Sequence, residues 1–445
     1  MWGWIIIMAE RSSYMDNGKY ISRLIDTKVK KYLKIFGAVC IEGPKWCGKT
    51  WTSKHNAKSS IMLGSPENNF QNRELAKLNP SMILEGEKPR LIDEWQEVPE
   101  IWDAIRYKVD EAGTKGDYIL TGSATPVHKG ILHSGAGRIG RIRMRTMSLY
   151  ESGESSGDVS LKELFDGKLQ PKITGEVKLE SLVHYIVRGG WPGALDFSGE
   201  EALEMTREYL NAVVKDDTYR IDGVKRNEKK MKLLLKSLAR NESTTASNRI
   251  LRKDLIEIEE ASSDKAGAID IGTIAEYLDI FERLFLIENQ RPFSSSLRSS
   301  VRVKQSEKRH YVDPSLACAA LNASPSMLMN DLETLGFLFE ALCERDLRIY
   351  ANAIGGDLYH YQDYKEREID AVVELDDGRW GAFEIKLGAH QIDGAAECLL
   401  KIKEEFEADE KARNPEFLCV LCGMSNAAYQ REDGVYVVPI TALKH

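Results

Sequence analysis

The feature that most constrains this chain is a loop bracketed by glycines, Gly43–Thr50, with the sequence GPKWCGKT. Its pattern, GxxxxGK[ST], is typical of loops that wrap around nucleotide phosphates. Glycines allow backbone N–H groups to approach the phosphates, and the helix that follows points its positive end at the same anions. An apolar strand is expected at 38–42, directly before the loop, and a helix is expected to begin near Thr50. The sequence therefore predicts an ATP-binding site.

The loop residues have distinct expected roles. Lys49 is expected to neutralise charge on the β- and γ-phosphates, and Thr50 to bind Mg²⁺. The other predicted nucleotide contacts come from the loop backbone and its flank: Gly43, Pro44, Lys45, Trp46, Cys47, Gly48 and Trp51.

A second acidic element supports hydrolysis as well as binding. Leu91-Ile92-Asp93-Glu94 ends a predicted buried strand at 90–94. Asp93 is placed to hold Mg²⁺ through water, and Glu94 to polarise the attacking water as a general base. The alternative is that Asp93 only caps the turn that follows. Downstream, Arg138 and Arg141 are candidates to supply transition-state charge at a neighbouring copy's γ-phosphate, or else are surface or nucleic-acid-facing arginines.

Short strands, including 61–63 and 118–122, alternate with helical stretches such as 100–112 over the first 150 residues, which predicts a parallel sheet covered by helices. The segments GPKWCGKT, LIDEWQEVPEIWDAIRYKVD, YILTGSAT and SGAGRIGRIRMRTMSLYE occur in that order. This order resembles a large bacterial and archaeal family of AAA-superfamily ATPases with a C-terminal domain of poorly defined function. The resemblance implies that Ser123 lies between the acidic pair and the γ-phosphate, although a plain turn serine is the alternative. Thr146 stands where the family usually has proline, a departure expected to affect loop geometry and not nucleotide chemistry.

Composition and charge limit the classes of protein and the cellular compartments that are expected for this chain. The chain has 445 residues, 42% hydrophobic and 29% charged, with a formal net charge of −8. This balance is typical of globular proteins and argues against a chain that binds nucleic acid over its whole surface. Seven scattered cysteines indicate a reducing cytoplasm. The opening run MWGWIIIMA is too short to span a bilayer, so we expect no membrane association.

Three domains are predicted for this α/β chain: a P-loop AAA-type ATPase domain at 1–158, a helical and winged-helix region at 159–324, and a restriction-endonuclease-like α/β domain at 325–445. In the middle region, a helical run at 229–290 precedes a basic segment at 291–310 and resembles a winged helix that could contact DNA. A solvated loop or a protein-docking module is the alternative. The basic residues are Arg291, Arg298, Arg302, Lys304, Lys308 and Arg309.

The C-terminal region carries a second set of charged residues. Asp370 begins one predicted strand, and Glu384 and Lys386 share one face of the next because strand side chains alternate. With Glu340 on the preceding helix, they resemble the D…ExK site of restriction endonucleases. That resemblance implies Mg²⁺ or Mn²⁺ on Glu340, Asp370 and Glu384, with Lys386 orienting water. The alternative is a strand face with surface salt bridges.

The function predicted from these features is an ATPase that drives or gates a nuclease-like domain acting on DNA or RNA. The alternative is a nucleotide-dependent switch, with a catalytically inert nuclease-like domain that serves only for binding. A small-molecule kinase would share the Gly43–Thr50 loop, but the water-polarising position of Glu94 disfavours it. An arginine that acts on a neighbouring copy would require self-association.

Overall fold

The computed structural model describes residues 20–124, 133–260, 269–296, 306–363 and 367–445. The chain folds into two compact units. The first contains the residues up to Met144 together with Glu151–Glu154, and the second contains Arg145–Tyr150 and Ser155–His445. The chain changes units after Met144, after Tyr150 and after Glu154, and the predicted boundary after residue 158 lies four residues beyond the last of these points. The predicted boundary after residue 324 falls inside the second unit.

The first unit is built on a parallel sheet of five strands in the order β2-β3-β4-β1-β5. The strands predicted at 38–42 and 118–122 are confirmed, and the strand predicted at 61–63 lies slightly earlier in the chain. The strands are β1 Ala38–Glu42, β2 Ser59–Met62, β3 Arg90–Asp93, β4 Tyr118–Gly122 and β5 Ile139–Arg143. The helices are α1 Ile25–Ile35, α2 Lys49–Asn56, α3 Glu67–Leu78, α4 Pro80–Ile83 and α5 Glu100–Ala112.

Both faces of this sheet are buried. Ala38 and Cys40 of β1 belong to a core cluster that includes Trp102 of α5. Val39 and Ile41 belong to a separate cluster that includes Val29 of α1. Because alternate residues of a strand point to opposite faces, the sheet is the middle of three layers. The carboxyl ends of β1, β3 and β4 therefore lie at one edge of the sheet, where the candidate site is found.

The second unit is largely helical in its first half. Helix α9, Gly199–Ala212, continues through a π-helical turn, Val213–Asp217, into helix α10, Thr218–Asp222. Three longer helices, α11 to α13, then precede an antiparallel pair of strands, β8 and β9. After the short helix α6 Leu149–Ser152, the helices are α7 Leu161–Phe165, α8 Leu179–Arg188, α9 Gly199–Ala212, α10 Thr218–Asp222, α11 Glu228–Arg240, α12 Asn248–Glu260, α13 Ile271–Arg283, α14 Pro314–Leu321, α15 Pro325–Asn330, α16 Leu332–Ile354 and α17 Ile392–Ala408.

A mixed sheet of seven strands forms the other half of this unit, in the order β10-β11-β12-β13-β15-β14-β7. Strands β10 to β12 are antiparallel neighbours, whereas β12, β13 and β15 run parallel. Helix α17 packs its apolar side chains into the core cluster of this sheet. The strands are β6 Val159–Ser160, β7 Lys172–Ile173, β8 Ile287–Gln290, β9 Lys308–Tyr311, β10 Gly356–Gln362, β11 Glu368–Leu375, β12 Trp380–Lys386, β13 Phe417–Cys422, β14 Ala427–Gln430, β15 Tyr436–Pro439 and β16 Leu443–Lys444.

The region predicted to contain a winged helix has three helices followed by a strand pair, where the sequence predicted a helical run and then a basic segment. The region predicted to be restriction-endonuclease-like has α16 before β10–β12 and α17 between β12 and β13. Element order alone does not identify either type, so both stay predictions. Among the described residues, no helix is both long and apolar enough to cross a bilayer.

The segment Arg145–Tyr150 is fixed inside the second unit by buried polar groups. The Thr146 hydroxyl donates to the Asp313 carboxylate at 2.7 Å, and the Leu149 N–H donates to Asp346 at 2.8 Å. Arg345 lies between the two acids, bonded to Asp313 at 3.1 Å and to Asp346 at 2.7 Å. The threonine that departs from the family pattern is therefore one of the groups that satisfy a buried carboxylate.

Candidate functional site

The Gly43–Thr50 loop follows β1 and leads into α2, as the sequence predicts. Gly48 has a φ of 102°, in the left-handed region that favours glycine, and stands immediately before the helix. A Cβ on Gly43 would lie 2.2 Å from the carbonyl oxygen of Met144, so the close approach of these two backbone segments also requires glycine. Trp46 has a φ of 67° at the tip of the loop. The loop thus has the tight backbone that phosphate binding needs.

Lys49 is buried, and its ammonium group lies against the backbone of its own loop. Nζ donates to the carbonyl oxygens of Gly43 at 2.9 Å and Pro44 at 2.7 Å. These bonds hold the charge of Lys49 at the concave side of the loop, where a phosphate oxygen would attract it. Trp46 and Trp51 are 63% and 57% exposed, so both predicted nucleotide-contact side chains are accessible.

The two acidic residues at the end of β3 have different surroundings. Asp93 is buried, and its Oδ1 accepts from the Thr50 hydroxyl at 2.9 Å and the Thr121 hydroxyl at 2.7 Å. Glu94, with a left-handed φ of 56°, turns away and accepts from the Ser123 hydroxyl at 3.1 Å. Asp93 thus lies beside the predicted magnesium ligand Thr50, and Glu94 lies beside the predicted polar residue of the next strand.

Two further residues of this network were not predicted. Thr121 accepts from the Glu94 N–H at 3.0 Å and so joins both acids to β4. The Gln96 amide contacts the Glu94 carboxylate and lies 3.4 Å from the Ser123 hydroxyl. Thr121 lies in the motif YILTGSAT, and Gln96 lies in the motif that begins LIDEWQ. Their polar side chains close in sequence to Ser123 and Glu94 are the signal that could have identified them.

A buried ion pair contacts the backbone of the Gly43–Thr50 loop at Cys47. The Arg23 guanidinium donates to the Cys47 carbonyl oxygen at 2.9 Å and to Glu151 at 3.0 Å. The Leu24 N–H donates to the same carboxylate at 2.8 Å. Because both side chains are almost fully buried, this pair fixes the loop backbone more firmly than an exposed ion pair would. Sequence reasoning had no signal for a contact between residues so far apart in the chain.

The predicted arginines lie on the surface of the first unit and contact carboxylates there. Arg138 pairs with Asp110 at 2.8 Å, with its side chain 48% exposed. Arg141 pairs with Glu42 and lies over the Trp102 ring, 4.5 Å from its centroid. A role at a neighbouring copy's phosphate stays a prediction for both.

In the second unit, Asp370, Glu384 and Lys386 come together as predicted from strand alternation. Lys386 Nζ lies 2.7 Å from Glu384 and 3.2 Å from Asp370, and Asp370 also accepts from the Ile385 N–H at 2.7 Å. Burial raises the pKa of Glu384, and the Asp370 charge adds to that rise. Burial alone would lower the pKa of Lys386, but the two acids raise it above its usual range. The lysine is therefore held charged between two acids.

Glu340 reaches this region from α16 but bonds to a different lysine. Its carboxylate pairs with Lys308 at 3.1 Å, and both side chains are nearly buried. Burial raises the pKa of Glu340, against the lowering effect of Lys308. The prediction that Lys308 belongs to an exposed basic segment is therefore wrong, because its side chain is buried and pairs with Glu340.

The other basic residues of the predicted segment differ in their surroundings. Arg291 is exposed, and Arg309 bonds to Ala246 and Asn248. Arg298, Arg302 and Lys304 lie outside the described residues.

The two predicted metal sites differ in their fit. Thr50 and Asp93 present hard oxygen atoms 2.9 Å apart beside the phosphate loop, a donor set that suits Mg²⁺. In the described part of the chain, no group of three or more His, Cys, Asp or Glu side chains is arranged to hold a metal. Lys386 contacts Asp370 and Glu384, and Lys308 contacts Glu340, so each acid of this second cluster has a lysine partner. The metal-ligand roles of these acids stay predictions.

Comparison with protein families agrees with the geometry of the first unit. Residues 36–153 match the AAA domain family, which supports nucleotide binding at the Gly43–Thr50 loop. Residues 179–327 and 335–443 match two domains of unknown function, DUF8612 and DUF4143 respectively. The boundaries of these matches lie near the predicted divisions, but the matches do not identify a winged helix or a nuclease.

Similar proteins include the uncharacterized proteins Rv2008c of Mycobacterium tuberculosis and Mb2031c of Mycobacterium bovis. Each is 23% identical over 364 residues, which cover 81% of this chain and 72% of the relative. The Walker-type ATPase PABY2304 of Pyrococcus abyssi is 13% identical, with a TM-score of 0.42 over 68% of this chain and 97% of that one. AMPPCP-bound DnaA from Aquifex aeolicus is also 13% identical, with a TM-score of 0.27 over 60% and 91%. At these TM-scores the structural likeness carries no functional information.

Proposed function

We propose that this chain is an ATP-binding, AAA-type ATPase. The observation that carries the proposal is the junction of Thr50, Asp93 and Thr121, which links the phosphate loop to two neighbouring strand ends within hydrogen-bonding distance. Mg²⁺ held by Thr50 and through water by Asp93 would neutralise phosphate charge. Glu94 would accept a proton from the attacking water, and Ser123 would hold its carboxylate in place.

Lys49 supplies the direct test of ATP binding. We expect the purified protein to release phosphate from ATP in the presence of Mg²⁺, and Lys49→Ala to lose both ATP binding and phosphate release. Lys54→Ala is the matched control, because it removes an exposed lysine from the helix that follows the loop and leaves the GxxxxGK[ST] pattern intact. Unchanged ATP binding by Lys49→Ala would refute the assignment of this loop.

We further propose that ATP turnover drives or gates the second unit, which acts on DNA or RNA. The support is the cluster of Asp370, Glu384 and Lys386 on adjacent strands behind α16, the arrangement that the resemblance to restriction endonucleases implies. The alternative is a nucleotide-dependent switch whose second unit only binds. The pairing of Glu340 with Lys308, a lysine from outside the D…ExK pattern, favours this alternative.

A cleavage assay separates the two candidates. Labelled DNA and RNA are incubated with the full chain and Mg²⁺ or Mn²⁺, with and without ATP. The gating proposal expects cleavage that depends on ATP and is lost in Asp370→Asn, while phosphate release from ATP stays unchanged. Asp377→Asn is the matched control, because Asp377 is an exposed residue of the turn that joins β11 and β12 and bonds to Arg379. ATP hydrolysis without any cleavage would instead support the switch.

A further inference from the structure

A cavity of about 420 Å³ lies within the helical half of the second unit. It is bordered by α9, the π-helical turn Val213–Asp217, α11 and the end of α14. Its volume falls in the range of about 300–1,000 Å³ that is usual for small-molecule sites. None of the residues discussed for ATP or for the acidic cluster lines it, so it is a separate feature of the molecule.

The lining of this cavity combines an aliphatic floor with a cationic rim. The floor includes Leu210, Val214, Leu235 and Ala319, all of them buried. The rim carries four basic side chains, and the described lining contains no carboxylate. These basic residues are Arg207, Lys229, Lys232 and Lys236.

Three of the four basic side chains of the rim lie on α11, and the fourth, Arg207, lies on α9. Lys232 and Lys236 are four residues apart on α11, so their side chains share one helix face. Both are exposed, and neither forms an ion pair with any described residue. Lys232 and Lys236 are like charges beside one concavity and repel each other, and an anion bound between them would relieve that repulsion.

Arg207 is the fourth basic side chain of the rim. Its side chain is 34% exposed, and its guanidinium group shares only a 3.4 Å contact with the exposed Glu204. The guanidinium can therefore still donate a charge-assisted hydrogen bond to a bound anion.

The π-helical turn is the third observation. Val214 lies in this turn and also lines the cavity. A π-helical turn is rare and occurs often at functional sites, because the extra residue per turn widens the helix and redirects its side chains. The wide turn places Val214 on the floor between α9 and α11.

We propose that this cavity binds a small amphipathic anion, an aliphatic chain that carries a phosphate or carboxylate headgroup. The aliphatic chain of the ligand packs against the floor of leucine, valine and alanine. This floor offers no aromatic ring for a nucleobase to stack on. The headgroup binds Lys232, Lys236 and the exposed part of the Arg207 guanidinium. The rim surrounds a concave apolar floor, whereas nucleic-acid binding favours a basic stripe along a surface.

Isothermal titration calorimetry on the full chain, without ATP, tests the proposal with n-octyl phosphate as the probe. We expect binding to weaken roughly tenfold in Lys232→Ala/Lys236→Ala, equivalent to ~1.4 kcal/mol. Lys30→Ala/Lys31→Ala, on exposed positions of α1, removes the same charge and should bind like the wild type. Ala320→Leu, which fills the edge of the floor, should also weaken binding, and circular dichroism should show all variants folded.

Three competitors define the ligand class. Neutral n-octyl glucoside and inorganic phosphate should each bind at least about tenfold more weakly than octyl phosphate, because each lacks one half of the recognised chemistry. Comparison with octanoate tells whether the rim prefers a phosphate or a carboxylate. Equal binding of octyl glucoside, unchanged binding by the double lysine variant, or displacement of the probe by a DNA duplex but not by octanoate would each overturn the proposal.

Discussion

The carboxylate of Glu94 offers the sharpest test of the proposed hydrolysis. In Glu94→Gln the side chain keeps its size, and an amide oxygen can still accept the 3.1 Å bond from Ser123. The substitution therefore keeps the shape of the side chain but removes its negative charge and its ability to accept a proton. A positioned general base contributes roughly 10²–10⁴-fold to rate, which corresponds to about 3–5 kcal/mol of activation free energy. We expect ATP turnover to fall by that factor while ATP binding remains.

Single-turnover phosphate release and equilibrium binding of ATP measure the two properties separately. Glu97→Gln is the matched control, since Glu97 follows in the same turn but pairs with Arg73 at 3.2 Å instead of facing Ser123. Its turnover should equal that of the wild type. Wild-type turnover in Glu94→Gln would remove Glu94 from the base role. Loss of ATP binding in that variant would instead assign Glu94 to binding.

Two buried groups of the second unit supply further predictions. Asp313→Ala should lower the free energy of unfolding by about 3–5 kcal/mol, because it leaves the buried Arg345 without one of its two carboxylates. Thr146→Val removes one hydrogen bond to the Asp313 carboxylate and should lower the free energy of unfolding by a smaller amount. Equal urea midpoints for the two variants would contradict this ranking. Burial works to lower the pKa of His310, but the charges of Glu344 and Glu242 outweigh it and raise the pKa to about 9. The stabilising effect of His310 should therefore be complete below pH ~6.5 and lost as pH rises through about 9, so the stability difference from His310→Gln should shrink over that window.

The nucleotide site was predictable because its signal is local. The GxxxxGK[ST] spacing, the strand before it and the acids ending β3 are each read from a few consecutive residues, and each lies where it was expected. The two acids could be placed at the end of β3 from the local strand pattern, whereas the position of Ser123 beside them was what the family resemblance implied.

The supporting contacts could not be predicted, since they join distant parts of the chain. Arg23 bonds to Glu151 across 128 positions, and Thr146 to Asp313 across 167. No local pattern marks either pair, and each depends on the packing of whole elements. Lys308 illustrates the same limit, because its neighbours in sequence indicated an exposed basic segment and only the fold shows the buried acid Glu340 opposite it.

The C-terminal acids stand between these cases. Period-2 alternation placed Glu384 and Lys386 on one face, and the turn between β11 and β12 brought Asp370 beside them, as the antiparallel register shows. Alternation could not determine whether the acids would face a metal or a lysine. That depends on what else is buried around them, and here Lys386 and Lys308 supply the compensating charges.

The path of Arg145–Tyr150 has a consequence for how this protein can be divided or recombined. A fragment that ends at residue 158 would carry this segment without Asp313 and Asp346, and a fragment that begins at 159 would leave those buried acids without Thr146 and the Leu149 N–H. Either cut exposes groups that need each other to fold. A single crossover at that point would separate these partners, so a domain exchange that keeps their hydrogen bonds has to transfer residues 145–150 together with the second unit.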